Sequence, residues 1–223
     1  MIISLDHPLE LLDRLGIAQS HAQEYASRHA AARAEIGKLK SSYAANGYDA
    51  LFYALARAWR PAAYLEFGVL SGYSLLSSSL AIRDNGVGRA IGLDLFEEYE
   101  YTKDYKNTVQ ARIDALALGP WCSLVQGSVY DVKPGDMAAD VLHIDISNNG
   151  DVVRHFFETW SAHVGRAILF EGGGPSRDQV EWMIKYDKPR MFPVFEALCA
   201  ANPGWSIYQV ADYPTFTAMV RNP

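Results

Sequence analysis

Four acidic residues stand at the ends of short apolar runs in the part of the sequence that follows residue 60. They are Glu66, Asp94, Asp145 and Glu171. Short apolar runs that alternate with segments of helical period are typical of parallel strands joined by helices, and such sheets bind ligands beyond the carboxyl ends of their strands. We therefore expect the four carboxylates to converge on one ligand site.

Two glycines follow the first of these runs. Gly68 and Gly72 separate the predicted strand from a helix that begins near Tyr73. Glycine permits a tight turn and lets a ligand lie against the main chain, and the helix presents unpaired N–H groups at its positive end. The spacing differs from the G-x-G-x-x-G turn that binds a pyrophosphate. An ordinary strand-to-helix turn remains an alternative interpretation of these glycines.

Polar groups also end the second and third runs. Asp94 is predicted to hold a ribose, because a carboxylate can accept the hydrogens of both hydroxyls. Ser128 and Val129 follow the third run, where the edge of an adenine could be contacted. A turn or helix cap is the alternative for Asp94, and a plain loop is the alternative for Ser128.

The elements that must position these residues follow from the same periodicities. The predicted strands are AAYLEF, AIGLDL, CSLVQG, DVLHID and RAILFE, and helices are predicted at 73–84, 103–118 and 151–163. The alternating runs WSIYQVA and TFTAMVR predict an antiparallel hairpin at the edge of the sheet. Residues 1–58 are predicted to be a helical N-terminal extension, and residues 59–223 to be one α/β domain.

The composition excludes several classes of protein. The 223 residues are 49% hydrophobic and 21% charged, which excludes a disordered chain. A net charge of -6 argues against a dedicated nucleic-acid binder. Two cysteines are too few for a disulfide framework or a zinc ribbon. We expect neither a signal peptide nor a membrane span, and hence a cytoplasmic protein with no nucleic-acid and no membrane partner.

Four segments resemble a known family. LEFGVLSGYSLL, GLDLFEE, HIDISNN and ILFEGGG are similar to motif I and the downstream motifs of class I S-adenosylmethionine-dependent methyltransferases. The variant E-x-G-V-x-x-G-Y-S most resembles small-molecule O-methyltransferases of the catechol and caffeoyl-CoA type, and a related bacterial group that acts on sugars and natural products. The resemblance covers about residues 60–172. It implies a Rossmann-like, mostly parallel, seven-stranded sheet with helices on both faces, and N-terminal helices that form a lid or a homodimer contact.

The resemblance also implies a cofactor site for S-adenosylmethionine, formed by Glu66, Gly68, Gly72, Ser74, Asp94, Ser128, Val129 and Asp145. In that site Gly68 and Gly72 line the methionine moiety, and Glu66 lies near its amino group. Asp94 holds the ribose hydroxyls, and Ser128 with Val129 flanks the adenine. Asp145 lies beside the methyl donor and the acceptor.

Two ways of removing the acceptor's proton stay open. Metal-dependent members bind Mg²⁺ through an Asp after strand four and an Asp-Asn pair after strand five, and the cation lowers the pKa of the acceptor hydroxyl. This sequence offers Asp145 and Glu171 as metal ligands, with Gly172 where the Asn should be and Asn148 or water to complete the coordination. Without a metal, His143 is the candidate base, and a satisfied core histidine is its alternative.

Other residues carry weaker predictions for the acceptor side. Tyr99, Tyr101 and Tyr105 could wall the acceptor or adenine pocket, or they could simply pack an amphipathic helix. The run Gly172–Gly174 is expected to be a flexible loop on the acceptor side, and Arg177 or Arg190 to meet an anionic substrate.

The function predicted from these features is methyl transfer from S-adenosylmethionine to a hydroxyl of a small molecule, such as a sugar or a secondary metabolite. A cofactor-binding protein without catalysis stays open, because Gly172 interrupts the metal set. An NAD-linked oxidoreductase is disfavoured by the missing third glycine. A nucleic-acid methyltransferase is disfavoured because neither a basic patch nor an N/D-P-P-Y signature is present.

Overall fold

The computed structural model describes residues 2–99, 104–175 and 178–222. Tyr101 and Arg177 therefore lie outside the described residues. The strands are β1 (Ile2–Leu5), β2 (Ala63–Phe67), β3 (Arg89–Asp94), β4 (Cys122–Gln126), β5 (Ala139–Ile144), β6 (Val164–Glu171), β7 (Trp205–Val210) and β8 (Phe216–Arg221). The helices are α1 (Glu10–Arg14), α2 (Ser20–Arg28), α3 (Ala30–Ile36), α4 (Tyr48–Trp59), α5 (Tyr73–Asn85), α6 (Lys106–Ala115), α7 (Gly150–Trp160), α8 (Glu181–Lys185) and α9 (Met191–Ala201). Short 3₁₀ helices span Ser42–Asn46 and Phe96–Glu98.

The chain divides into two compact units. The first unit is Leu9–Val132, and the second unit is Met1–Pro8 together with Lys133–Pro223. The predicted boundary between an extension at 1–58 and a domain at 59–223 stays a prediction.

The first unit contains three parallel strands in the order β2-β3-β4. Their registers pair Phe67 with Leu93 and Asp94 with Gln126, so the three strands end side by side. Helix α5 lies close against β3, because a Cβ on Gly92 would come within 2.6 Å of Leu75. Helix α4 is buried over most of its length and packs against α5. The strand and helix alternation predicted from residue 62 onward is confirmed here.

The second unit contains the strands β1-β7-β8-β6-β5 in that order. Strands β5 and β6 are parallel, whereas β8 is antiparallel to both β6 and β7, which confirms the predicted C-terminal hairpin. Strand β1 was not predicted. It pairs in parallel with β7, placing Ile2 opposite Ile207, so the described residues contain eight strands rather than the seven predicted. Four residues at an edge are too few for the period-two pattern to stand out.

The fold class is thus the predicted one, an α/β arrangement of mostly parallel, Rossmann-like strands. No helix in the described ranges combines the length and the apolar character that a membrane crossing requires.

Candidate active site

The loop between β2 and α5 has an unusual backbone. Gly68 and Gly72 have φ values of +87°, and Leu70 between them has a φ of +48°. The Gly68 amide donates to the Leu93 carbonyl at 2.9 Å, and the Gly72 amide donates to the Val69 carbonyl at 2.8 Å. Glycine is favoured at a φ of +87° because a side chain is strained there. The predicted tight turn is therefore present at the end of β2.

Asp94 fastens this loop to the end of β3. Its Oδ2 accepts hydrogen bonds from the amides of Val69 at 2.6 Å and Leu70 at 3.0 Å. Its Oδ1 accepts a third from the amide of Phe96 at 2.8 Å. A carboxylate has about four acceptor positions, so one position on Oδ1 is left for a ligand hydroxyl. Asp94 is thus a candidate ribose ligand that also holds the glycine turn. Its bond to the Phe96 amide is the kind of contact that the alternative of a turn aspartate predicts.

Glu66 lies beneath the start of α5. It is fully buried, and its Oε1 accepts a hydrogen bond from the Ser74 hydroxyl at 2.8 Å. The Tyr64 hydroxyl lies 3.5 Å from its other oxygen. Burial, with a smaller contribution from the charge of Glu66, raises the pKa of the Cys122 thiol to about 12. The predicted cofactor residues Glu66 and Ser74 are therefore in direct contact. The thiol of Cys122, with its raised pKa, is not a nucleophile.

The third strand end lies next to Asp94. The Gly127 amide donates to the Asp94 carbonyl at 3.0 Å. The Ser128 hydroxyl accepts a hydrogen bond from the Tyr130 amide at 3.3 Å, which turns the chain, and Val129 is buried. The candidate residues for methionine, ribose and adenine are thus supplied by three adjacent strand ends of the first unit.

In the second unit, Asp145 follows β5 directly and Glu171 is the last residue of β6. The register pairs Ile144 with Phe170, so Asp145 and Glu171 occupy neighbouring ends of two parallel strands, which lie about 5 Å apart in a sheet. Both residues are half-buried. His143 is fully buried in β5, opposite Leu169. Its role as a base stays a prediction.

The residues around Glu171 bear on the predicted metal site. A Cβ on Gly172 would lie 3.1 Å from the Cγ of Asn148, so this amide lies beside the position where the metal-dependent members carry their Asn. Across the described ranges, no three His, Cys, Asp or Glu side chains are grouped in a way that could hold a metal. Magnesium binding by Asp145 and Glu171 stays a prediction.

The three glycines after β6 differ from the expected flexible loop, because all of them are buried. The Gly172 amide donates to the Thr215 carbonyl at 2.8 Å, and the Thr217 hydroxyl donates to the Gly172 carbonyl at 2.8 Å. The carbonyl of Gly173 accepts from the side-chain Nε2 of Gln209 at 2.9 Å. This segment is fixed to the C-terminal hairpin by hydrogen bonds.

Three further residues predicted for the acceptor side lie in the described ranges. Tyr99 and Tyr105 are half or more exposed, at 50% and 57%. Arg190, by contrast, has its Nε 2.8 Å from a carboxylate oxygen of Asp178, whose side chain is fully buried. The guanidinium of Arg190 is thus engaged by a carboxylate of the protein.

A comparison with protein families relates a segment of this chain to methyltransferases. Residues 65–167 match the family model of a methyltransferase domain. This segment of the chain is similar to that domain. The matched segment includes the glycine turn, Asp94, Ser128 and Asp145. A comparison with curated proteins finds no match.

Solved structures of methyltransferases share the fold. The O-methyltransferase TomG of Streptomyces achromogenes, involved in tomaymycin synthesis and solved with S-adenosylmethionine, is 17% identical with a TM-score of 0.60, over 96% of this chain and 95% of that one. An O-methyltransferase of Bacillus cereus, solved with S-adenosylhomocysteine, is 19% identical with a TM-score of 0.59, over 96% of both chains. A methyltransferase of Podospora anserina, also bound to S-adenosylhomocysteine, is 15% identical with a TM-score of 0.60, over 86% of this chain and 88% of that one. At such identities the likeness concerns the fold alone.

The donor set of the first unit fits S-adenosylmethionine. The cofactor carries a ribose diol and an adenine, and the strand ends offer a remaining acceptor position on Asp94 and the half-buried residue Ser128. The turn at Gly68–Gly72 brings main chain rather than side chain to the end of β2. The residues present are therefore compatible with this cofactor.

Proposed function

We propose that this methyltransferase transfers the methyl group of S-adenosylmethionine to a hydroxyl oxygen of a small molecule. The observation that carries the proposal is the turn at Gly68–Gly72, held by the carboxylate of Asp94 inside the segment that matches the methyltransferase domain. The fold likeness to O-methyltransferases supports oxygen as the methylated atom.

The chain's own residues would bind the cofactor in three places. Gly68 and Gly72 line the methionine moiety, and the buried pair of Glu66 and Ser74 supports the start of α5 beside it. The remaining acceptor position of Asp94 takes a ribose hydroxyl. Ser128 and Val129, on the next strand end, flank the adenine.

In the reaction the acceptor oxygen forms a bond to the methyl carbon while the bond from that carbon to sulfur breaks. The cofactor, when bound, supplies an activated methyl group with its own leaving group. The protein must orient the acceptor and take up its hydroxyl proton. Asp145 is the more accessible proton acceptor, since it is half-buried whereas His143 is fully buried. Magnesium held by Asp145 and Glu171 would be the alternative means of lowering the hydroxyl's pKa.

A cofactor-binding protein without turnover is the second candidate. Gly172, which replaces the Asn of the metal-dependent members, favours it. Cytoplasmic location, a small-molecule acceptor and a homodimer stay predictions alongside either candidate.

Calorimetric titration with S-adenosylhomocysteine tests the cofactor, with NAD⁺ as the control ligand and with Mg²⁺ present or absent. We expect micromolar binding of S-adenosylhomocysteine and none of NAD⁺. The variant Asp94→Ala should bind about 100-fold more weakly, because it loses the charged acceptor of three amides and of the ribose. Asp94→Asn keeps one carbonyl acceptor and should lose less.

No binding of S-adenosylhomocysteine at millimolar concentration would overturn the proposal. If binding is found, release of S-adenosylhomocysteine from S-adenosylmethionine in the presence of hydroxylated acceptors separates the enzyme from the non-catalytic candidate. Dependence of that release on Mg²⁺, lost in Glu171→Gln, would identify the metal mechanism.

A further inference from the structure

The second unit contains a cavity of about 360 Å³. This volume is in the range of sites that enclose a small organic molecule. Its lining residues are Asn148, Glu171, Val180, Glu181, Trp182, Met183, Tyr213 and Thr215. Glu171 ends β6, and ligands of open α/β sheets bind beyond strand ends of this kind. The cavity therefore lies beyond a strand end of the second unit, where sheets of this kind bind ligands.

The charge of the described lining residues is negative. Glu171 and Glu181 contribute two carboxylates, and the described lining residues include no lysine, arginine or histidine. Two like charges around one small volume attract a cation and repel an anion, and the effect is larger in a cleft than on open surface. The lining thus disfavours an anionic acceptor.

Two aromatic side chains in the same lining are exposed. Trp182 is 38% exposed and Tyr213 is 52% exposed. Large aromatic side chains are mostly buried in folded proteins. The exposed face of an indole or phenol ring attracts a cation through the quadrupole of the ring. Carboxylates combined with aromatic faces are the groups that recognise an organic ammonium ion.

The wall that carries Glu181 and Trp182 is held in place by a buried carboxylate. Asp178 accepts a hydrogen bond from the Phe192 amide at 2.7 Å, at the start of α9. Its other oxygen lies 2.8 Å from the Nε of Arg190. These contacts join the two ends of the segment that contains α8. They also engage Arg190, the described cation that the sequence suggested for an anionic substrate.

We propose that the cavity selects an acceptor that bears a protonated amine beside its hydroxyl groups. The amine lies against the carboxylates of Glu171 and Glu181, and the rings of Trp182 and Tyr213 contact the adjoining carbon atoms. The hydroxyl, not the amine, receives the methyl group, because a protonated amine has no lone pair with which to attack. This inference rests on the proposed function, and it names the charge class of the acceptor.

The test uses two series of hydroxylated probes, each with a cationic, a neutral and an anionic member on a common skeleton. The first is glucosamine, glucose and glucuronate, and the second is dopamine, 4-ethylcatechol and 3,4-dihydroxyphenylacetate. Binding of each probe to the full chain is measured by calorimetry with S-adenosylhomocysteine present. All solutions contain EDTA, because a divalent cation would occupy the same carboxylates.

We expect the amine of at least one series to bind about tenfold more tightly than its neutral partner, and the carboxylate partner to bind more weakly than the neutral one. Glu181→Gln should remove most of this preference while leaving the affinity for S-adenosylhomocysteine unchanged. Glu196→Gln, which alters an exposed carboxylate on α9 outside the lining, should leave the preference intact.

Equal binding of amine and neutral probes in both series, tighter binding of the carboxylates, or no binding of any probe would overturn the inference. Failure of the proposed function is distinguishable, since it would appear as absent binding of S-adenosylhomocysteine in the titration without probes. Persistence of the amine preference in Glu181→Gln and in Glu171→Gln would also overturn the inference, because the cavity carboxylates would then not be its cause.

Discussion

Two glycine-rich segments follow strands of this protein, and they use glycine for different purposes. After β2, Gly72 has room for a Cβ, whose nearest neighbours would be Val109 at 3.3 Å and Leu76 at 3.5 Å. After β6, a Cβ on Gly173 would lie 2.5 Å from both the ring of Phe195 and the hydroxyl of Thr217. The first segment needs glycine for its backbone conformation, and the second needs it for close packing as well.

The two segments are also held in different ways. The turn after β2 is held by a carboxylate, since Asp94 accepts the amides of Val69 and Leu70. The segment after β6 is held by packing and by neutral hydrogen bonds to Gln209 and Thr217. The carboxylate of Asp94 keeps an acceptor position for a ligand, whereas the space around Gly173 is filled by the side chains of Phe195 and Thr217. Glycine content by itself therefore does not identify a ligand loop.

The largest effect is expected from Gly173→Ala. The new Cβ would clash with Phe195, which is fully buried, and the φ of +93° strains any side chain. Overpacking and left-handed strain together should lower the free energy of unfolding by about 3–4 kcal/mol. Denaturant unfolding followed by circular dichroism measures it.

Gly204→Ala is the matched control, because a Cβ there meets nothing within 4 Å. Its unfolding free energy should stay within about 0.5 kcal/mol of the parent. A loss of less than about 1 kcal/mol in Gly173→Ala would mean that this segment relaxes easily, and the contrast between the two segments would fail.

A smaller effect on stability is expected from Gly72→Ala. The methyl group meets only ordinary or slightly tight contacts, so backbone strain at a φ of +87° dominates and costs about 1–2 kcal/mol. The strain displaces a turn that is tethered to Asp94, so the affinity for S-adenosylhomocysteine should fall about tenfold. Calorimetry on the folded variant measures this. Unchanged affinity, or destabilisation as large as that of Gly173→Ala, would contradict the distinction.

The glycine turn could be predicted from the sequence because its signals are local. An apolar strand, two glycines and a helix follow one another along the chain, and Asp94 ends the next strand by the same periodicity. The polar tether itself could not be predicted, since which amides a carboxylate accepts depends on register between strands. Strand β1 was missed because four residues carry little pattern.

The cavity in the second unit was harder to predict. Trp182 and Tyr213 are brought to one lining by the fold, and no spacing in the sequence links them. Asp178 lies fourteen residues from the amide that it caps, so it could not be recognised as a helix cap. The burial of Gly173 depends on Phe195 and Thr217, which come from a helix and a strand later in the chain.

The smallest effect on stability is expected at a second carboxylate that joins two parts of the chain. This carboxylate is Asp84, near the C-terminal end of α5. Asp84 lies 2.6 Å from the Nε2 of His29 and accepts a hydrogen bond from the Tyr53 hydroxyl at 2.7 Å. Burial alone would raise the pKa of Asp84, but these hydrogen bonds and the charges of His29 and Arg28 hold it below its usual range. A carboxyl whose pKa is lowered on folding stabilises the protein above its unfolded pKa of about 3.9, and this contribution is lost as the pH falls through the folded value.

Asp84→Asn should therefore lower the unfolding free energy by about 1 kcal/mol at pH 7, and the difference from the parent should shrink below about pH 4. Denaturant titrations at several pH values measure it. Hydrogen exchange should show that the amides of α2 and α4 lose protection at low pH. The amides around Gly172 should keep their protection, because neutral hydrogen bonds hold that segment. A difference between variant and parent that grows as the pH falls would mean that Asp84 does not act as a charged tether.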